Sequence, residues 1–224
     1  LVQAQNRLER VSIDNKLGCN CCSLLALDLK KVFDAFVVSY TTLSVVELYD
    51  INFFLSFPFR QLSKCKNLSV LEITRCYNFG PDITLDNDMD PTSFTHLRKI
   101  SIFYSEMPPK ILQILLTQAG HSLRQLKLVE SESTENHFPE IVQSCTTYNS
   151  NVTHVLVPIH PGEISLLPSF LNSCVRLEHF EIWYKNSHEF DLEEVLPDIG
   201  MSLPPNLKIF NVNMNWLFTP ESFG

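Results

Sequence analysis

One spacing recurs along this chain and limits what it can fold into: an aliphatic residue, two residues of any kind, a second aliphatic residue, one of any kind, and a third aliphatic residue. The stretch 67–76, NLSVLEITRC, presents it as Leu68, Leu71 and Ile73, with a small Cys76 three places later. The same triplet stands at Leu8, Val11, Ile13; at Leu24, Leu27, Leu29; at Leu43, Val46, Leu48; at Leu97, Ile100, Ile102; and at Leu123, Leu126, Leu128. Three more follow at Val152, Val155, Val157; Leu177, Phe180, Ile182; and Leu207, Phe210, Val212. The nine copies start at steps of 16, 19, 25, 29, 26, 29, 25 and 30 residues. One match carries no information, because apolar helices and strands both generate it; nine in order define a repeat.

The form L-x-x-L-x-L-x-x-C of 68–76 is the strand-and-turn segment of a leucine-rich repeat, and most steps fall in or near the 20 to 29 residues usual for that architecture. The expected fold is therefore α/β: a leucine-rich-repeat solenoid forming one domain over residues 1–224, with about nine irregular repeats. Side chains alternate along a strand, so counting the first leucine as place one, places four and six face the core and places three, five and seven face outward. Strands sit about 4.8 Å apart and helices roughly 8 to 10 Å apart, which bends such a stack into a horseshoe with the parallel sheet on the concave face and helices on the convex one.

Composition enters where it excludes alternatives. With 45% hydrophobic residues in 224, the chain can bury a sizeable core. A formal charge of -8 argues against a phosphate backbone as partner, so no nucleic acid is expected. No run of about eighteen apolar residues is present, so no membrane span is expected. The opening LVQAQNRLER has no charged segment leading into an apolar one, and seven scattered cysteines, an odd number, fit a reducing compartment; an intracellular location, cytoplasmic or nuclear, is expected.

Along the chain, the loop 15–23 carries Cys19, Cys21 and Cys22 without a second ligand pair, so zinc is not expected. Asp86, Asp88 and Asp90 resemble the opening of a calcium loop, but Pro91 and Leu97 stand where that loop needs Gly and Glu, so an acidic solvated loop is expected. Helices are expected over 31–42, beside Pro58 within 53–64, from Pro108 and Pro109 to Gly120, after Pro139, after Gly162, from a capping box of Asp191 and Glu194, and from Thr219. Cys65 and Cys174 each lie three residues before a repeat and read as core. Asn67 and Asn151 match the glycosylation pattern, yet each directly precedes a repeat strand, which favours a structural role.

The outward places define the candidate surface. Tyr49, Phe103 and Trp183 occupy place seven and are expected as exposed aromatic anchors, with Glu47, Glu72, Lys127 and Glu181 at place five beside them. The alternative is that the aromatics cover strand edges or pack under loops. Nine strands span on the order of 40 Å, giving roughly 500 to 600 Å² of open sheet, nearer a protein interface than a small-molecule pocket. A protein or peptide ligand on the concave face is expected. No phosphate loop, nucleophile elbow or zinc-protease motif occurs, so no catalytic residues, metal or cofactor and no enzyme activity are expected. His154 and His179 share place three and are predicted to be neighbours, which by itself defines no metal site.

The irregular steps, the 68–76 unit, and the phrases LEHFEIWYKNSHEFDLEEVLP and PPNLKIFNVNMNWLFTPES resemble the repeat region of fungal F-box/leucine-rich-repeat proteins. The resemblance covers most of the chain and implies a substrate receptor of an SCF-type ubiquitin ligase, in which repeats hold a target and an F-box docks a Skp-type linker bound to cullin. The chain departs from that pattern in having no F-box of its own, since repeat strands begin by Leu8. The expectation is a segment of a longer protein with the box upstream, or alternatively a free-standing binding scaffold unconnected with ubiquitination.

Overall fold

The computed structural model describes residues 7–15, 32, 34, 39–53, 58–79, 92–129, 137–148, 151–183, 190–191, 195–213 and 216–217. Strands and helices alternate along these: β1 (Arg10–Asp14), β2 (Val45–Tyr49), α1 (Phe59–Leu62), β3 (Val70–Thr74), β4 (Lys99–Phe103), α2 (Pro109–Ala119), β5 (Gln125–Val129) and α3 (Phe138–Tyr148). There follow β6 (His154–Pro158), α4 (Leu167–Ser173), β7 (His179–Trp183), β8 (Phe190–Asp191), α5 (Leu196–Met201), β9 (Ile209–Asn213) and β10 (Trp216–Leu217). Eight strands form one all-parallel sheet in the order β1-β2-β3-β4-β5-β6-β7-β9, and β8 pairs with β10 in a separate parallel pair.

Each sheet strand coincides with one triplet, and the register keeps equal places side by side. Place four runs Val11, Val46, Leu71, Ile100, Leu126, Val155, Phe180, Phe210 across the whole sheet. From Val46 to Phe180 this row is no more than 2% exposed, and the first leucines Leu43, Leu68, Leu97 and Leu177 are fully buried. Burying one such side chain stabilises the fold by about 1.5–3 kcal/mol, which is what holds successive repeats in step. On the same side lie Ile111, Leu112, Leu115 and Leu116 of α2, Ile141 and Val142 of α3, and Phe170 and Leu171 of α4. The sheet thus has one face covered by helices, as the triplets require.

Polar side chains bind the repeats together at fixed places. The residue just before place one donates to a carbonyl of the preceding repeat: Asn67 Nδ2 to Thr41, Asn151 Nδ2 to His121 at 2.9 Å, and Asn206 Nδ2 to Val175 at 3.2 Å. Place two does the same through Ser44 Oγ to Glu9, Ser69 Oγ to Ser44 and Thr153 Oγ1 to Arg124, at 3.0 to 3.1 Å. The structural role expected for Asn67 and Asn151 is therefore seen. Place eight, directly after the strand, is left-handed in three consecutive repeats: Asp50 (φ 56°), Arg75 (φ 51°) and Tyr104 (φ 50°).

Cys65 and Cys174 are buried core residues as expected, and burial pushes the Cys65 thiol up to about 12 and the Cys76 thiol up to about 11. Helix α1 is a single turn starting directly after Pro58, and α2 ends at Gly120, whose φ of +42° suits a residue without Cβ. A 3₁₀ turn, Pro161–Leu166, precedes α4, so the helix starts at Leu167, four residues later than a start directly after Gly162. Of the helix expected over 31–42, Val32 and Asp34 are helical and residues 35–38 lie outside the described residues.

Two expectations are corrected. First, β1 pairs directly with β2 over five residues, Arg10 with Val45 through Asp14 with Tyr49, so the triplet beside the first is the third, not the second. The second triplet, Leu24 to Leu29, with its loop cysteines, lies outside the described residues, as does the acidic loop 80–91. Second, Asp191 does not cap a helix: its backbone is in β8, and α5 begins at Leu196, where Pro197 favours a first turn. Trp216 and Leu217 form β10, and 218–224, on which the helix expected from Thr219 falls, lie outside the described residues. Among the described residues no helix is long and apolar enough to cross a membrane.

Candidate partner-binding surface

The second sheet face is built from places three, five and seven. Place five runs Ser12, Glu47, Glu72, Ser101, Lys127, Leu156, Glu181, Asn211, each beside the next. Place seven runs Asp14, Tyr49, Thr74, Phe103, Val129, and then Pro158, Trp183, Asn213. All seven residues singled out from the sequence stand on this one face. Every side chain on it is half-buried or exposed except Glu47, Ser101 and Pro158.

The aromatic anchors do not form a cluster. Tyr49 and Phe103 are separated by the strand of Thr74, and Phe103 and Trp183 by the strands of Val129 and Pro158. All three are half-buried rather than exposed. The Tyr49 hydroxyl donates to Glu72 Oε2 at 3.4 Å, and burial first, then the Glu47 and Glu72 carboxylates, hold its phenol above the usual tyrosine range. The Trp183 indole N–H donates to the Leu128 carbonyl at 3.4 Å, across the intervening β6. For Trp183 the alternative of packing over strand edges fits better than a free anchor.

The acidic character expected here is largely cancelled within the chain. Glu47, only 7% exposed, accepts two bonds from the Arg10 guanidinium, one of them from Nε at 3.1 Å. Glu72 pairs with the Lys99 ammonium. Glu181 accepts from Asn213 Nδ2 at 3.0 Å and has His179 Nε2 3.7 Å away. Arg10 and Lys99 stand at place three, one strand from Glu47 and Glu72; Lys99 was legible in the sequence as an opposite charge on the neighbouring triplet, whereas Arg10 lies two triplets before Glu47. His154 and His179 are neighbours as predicted, with ring centroids 5.8 Å apart, and Thr153 Oγ1 lies 2.9 Å from His154 Nδ1.

That leaves Lys127 in a different condition from the other six. It sits mid-sheet on β5 between Ser101 and Leu156, and among the described residues its ammonium has no hydrogen-bond or ion-pair partner. The described residues hold no group of three or more His, Cys, Asp or Glu placed to bind a metal ion. On the helix side, a shallow polar groove runs between α2 and α3, lined by Gln113, Thr117, Glu140, Gln143 and Thr147.

No family model matches the chain, and no curated protein does. The reading of the surface rests on its own residues.

Proposed function

We propose that the chain is a leucine-rich-repeat module, a curved horseshoe that holds a protein or peptide partner on its concave sheet face and carries out no catalysis. The observation that supports this most is the open face. Parallel sheets are ordinarily covered on both sides, yet here helices cover one side of eight strands and the other presents three side chains per strand. Eight strands about 4.8 Å apart, with roughly 14 Å of width, give on the order of 500 Å² before loops contribute, a flat area suited to a protein rather than a small molecule.

Within that reading, the resemblance to fungal F-box/leucine-rich-repeat proteins favours the substrate-recognition region of an SCF-type ubiquitin ligase. The test is made on the full-length gene product, tagged in its own cells. Co-purification of a Skp-type linker and a cullin, together with accumulation of the captured partner when the gene is removed, is the expected result. Capture of a partner whose abundance does not change, with neither linker nor cullin present, would leave a binding scaffold unconnected with ubiquitination.

A further inference from the structure

Among the described residues, the charged side chains at places three and five of the sheet face have a polar partner except at its middle. Arg10 serves Glu47, Lys99 serves Glu72, and Glu181 is held by Asn213 beside His179. Lys127 has no such counterpart among the described residues. Its neighbour at place five is Ser101, which is 1% exposed and whose Oγ makes no hydrogen bond. A buried hydroxyl without a partner is a cost the fold carries, and it stands one strand away from an ammonium that also has none. Around them the face turns apolar: Leu156 on one side, Phe103 and Val129 at place seven.

Resting on the reading of this face as a protein-binding surface, we propose that its middle receives an acidic side chain from a peptide segment of the partner. The carboxylate takes the Lys127 ammonium, and apolar residues flanking it in the segment lie on Leu156, Val129 and Phe103. A carboxylate suits the site better than a phosphate. A phosphoryl group carries nearly two charges and is usually met by several cations or a bidentate arginine, whereas Lys127 is a single point charge and the next cation, Lys99, is engaged by Glu72. The chain's charge of -8 opposes an acidic partner at long range, but screening beyond about 8–10 Å leaves the local ammonium to decide at contact.

The experiment is selection of displayed random peptides on the whole 224-residue chain, followed by calorimetric titration of the selected peptides, each made also with its acidic residue changed to the amide. Titrations are run against the parent and the variants Lys127→Met, Lys127→Arg and Leu156→Arg, with thermal unfolding confirming that each is folded. The selected peptides are expected to carry Asp or Glu. Amidation should weaken binding to the parent about tenfold or more and to Lys127→Met less than about threefold, with Lys127→Arg close to the parent. Peptides that Leu156→Arg abolishes but that are indifferent to Lys127→Met and to amidation would overturn this inference and leave the face as a binding surface. Should Leu156→Arg fail to fold, Val129→Arg takes its place as the face-blocking variant. Peptides indifferent to both substitutions, or no binders at all, would overturn this inference and the functional reading together.

Discussion

The Trp183 indole N–H meets the Leu128 carbonyl at 3.4 Å by reaching over a whole strand. The strand between them supplies the reason. In this sheet the backbone N–H at places three, five and seven of one strand donates to the preceding strand, as His154 N–H does to Arg124. At place seven of β6 the residue is Pro158, which has no N–H, and the paired register between β5 and β6 ends at Lys127 with Leu156. The carbonyl left over is that of Leu128, and the indole occupies it. Trp183→Phe is therefore expected to lower stability by about 1 kcal/mol. Restoring the missing N–H with Pro158→Ala should make the same change nearly harmless, a coupling of about 0.5–1 kcal/mol in the four urea midpoints. Equal losses in both backgrounds would show that the indole does not serve that carbonyl.

The Arg10 and Glu47 pair is unequal in burial, with side chains 64% and 9% exposed. Removing the exposed partner strands the buried one, whereas removing both leaves two apolar groups in contact. Arg10→Met alone should lower the thermal midpoint, and Arg10→Met with Glu47→Met should recover most of the loss. A double variant as unstable as the single one would mean that the carboxylate is stabilised by something other than this guanidinium.

The core rows were legible because a period of two and a fixed place in each repeat leave little freedom: once Leu71 faces inward, Val46 and Ile100 beside it must as well. The open sheet face was legible in position but not in condition. Places five and seven alone show Glu47 and Glu72 as acidic and Tyr49 and Trp183 as free, and it takes place three, with Arg10 and Lys99, to see the charges closed off. Pro158 carried the signal for Trp183, since a proline within a central strand must leave one carbonyl without its donor. The adjacency of β1 and β2 was not legible, because a triplet at Leu24 has the form of a strand whether or not it joins the sheet. Asp191 with Glu194 reads as a capping box from spacing alone, and only pairing with Leu217 makes it a strand.

Tyr104 is left-handed at φ 50° and 56% exposed, while its N–H is held by the Val129 carbonyl. A side chain at such a φ is strained and glycine is not, so Tyr104→Gly should stabilise the fold by about 0.5–1 kcal/mol after its greater unfolded-state freedom is set against the relief. Tyr104→Val, with a branched Cβ, should do the reverse. Both are read from denaturation midpoints. A loss of stability in the glycine variant would show that the ring contributes more in packing than the backbone loses in strain.

His137, just ahead of α3, is 6% exposed, and burial, aided by the neighbouring His160, pushes its pKa down to about 4. The unfolded chain holds that proton near 6.5, so as pH falls the unfolded state takes it up first. Stability is full above about 6.5, declines as pH drops below that, and stops declining below about 4, with a loss approaching roughly 3 kcal/mol. His160, also lowered by burial, adds in the same direction. Glu163 opposes it, since burial raises its pKa and the folded state then gains a proton at low pH. Glu163's ordinary range lies near 4.5, so the histidines govern the upper part of the window. Urea midpoints should therefore fall between pH 7.5 and 5.5, and His137→Phe should flatten that slope while leaving the midpoint at pH 7.5 within about 1 kcal/mol of the parent. An unchanged slope in the variant would place the titrating group elsewhere.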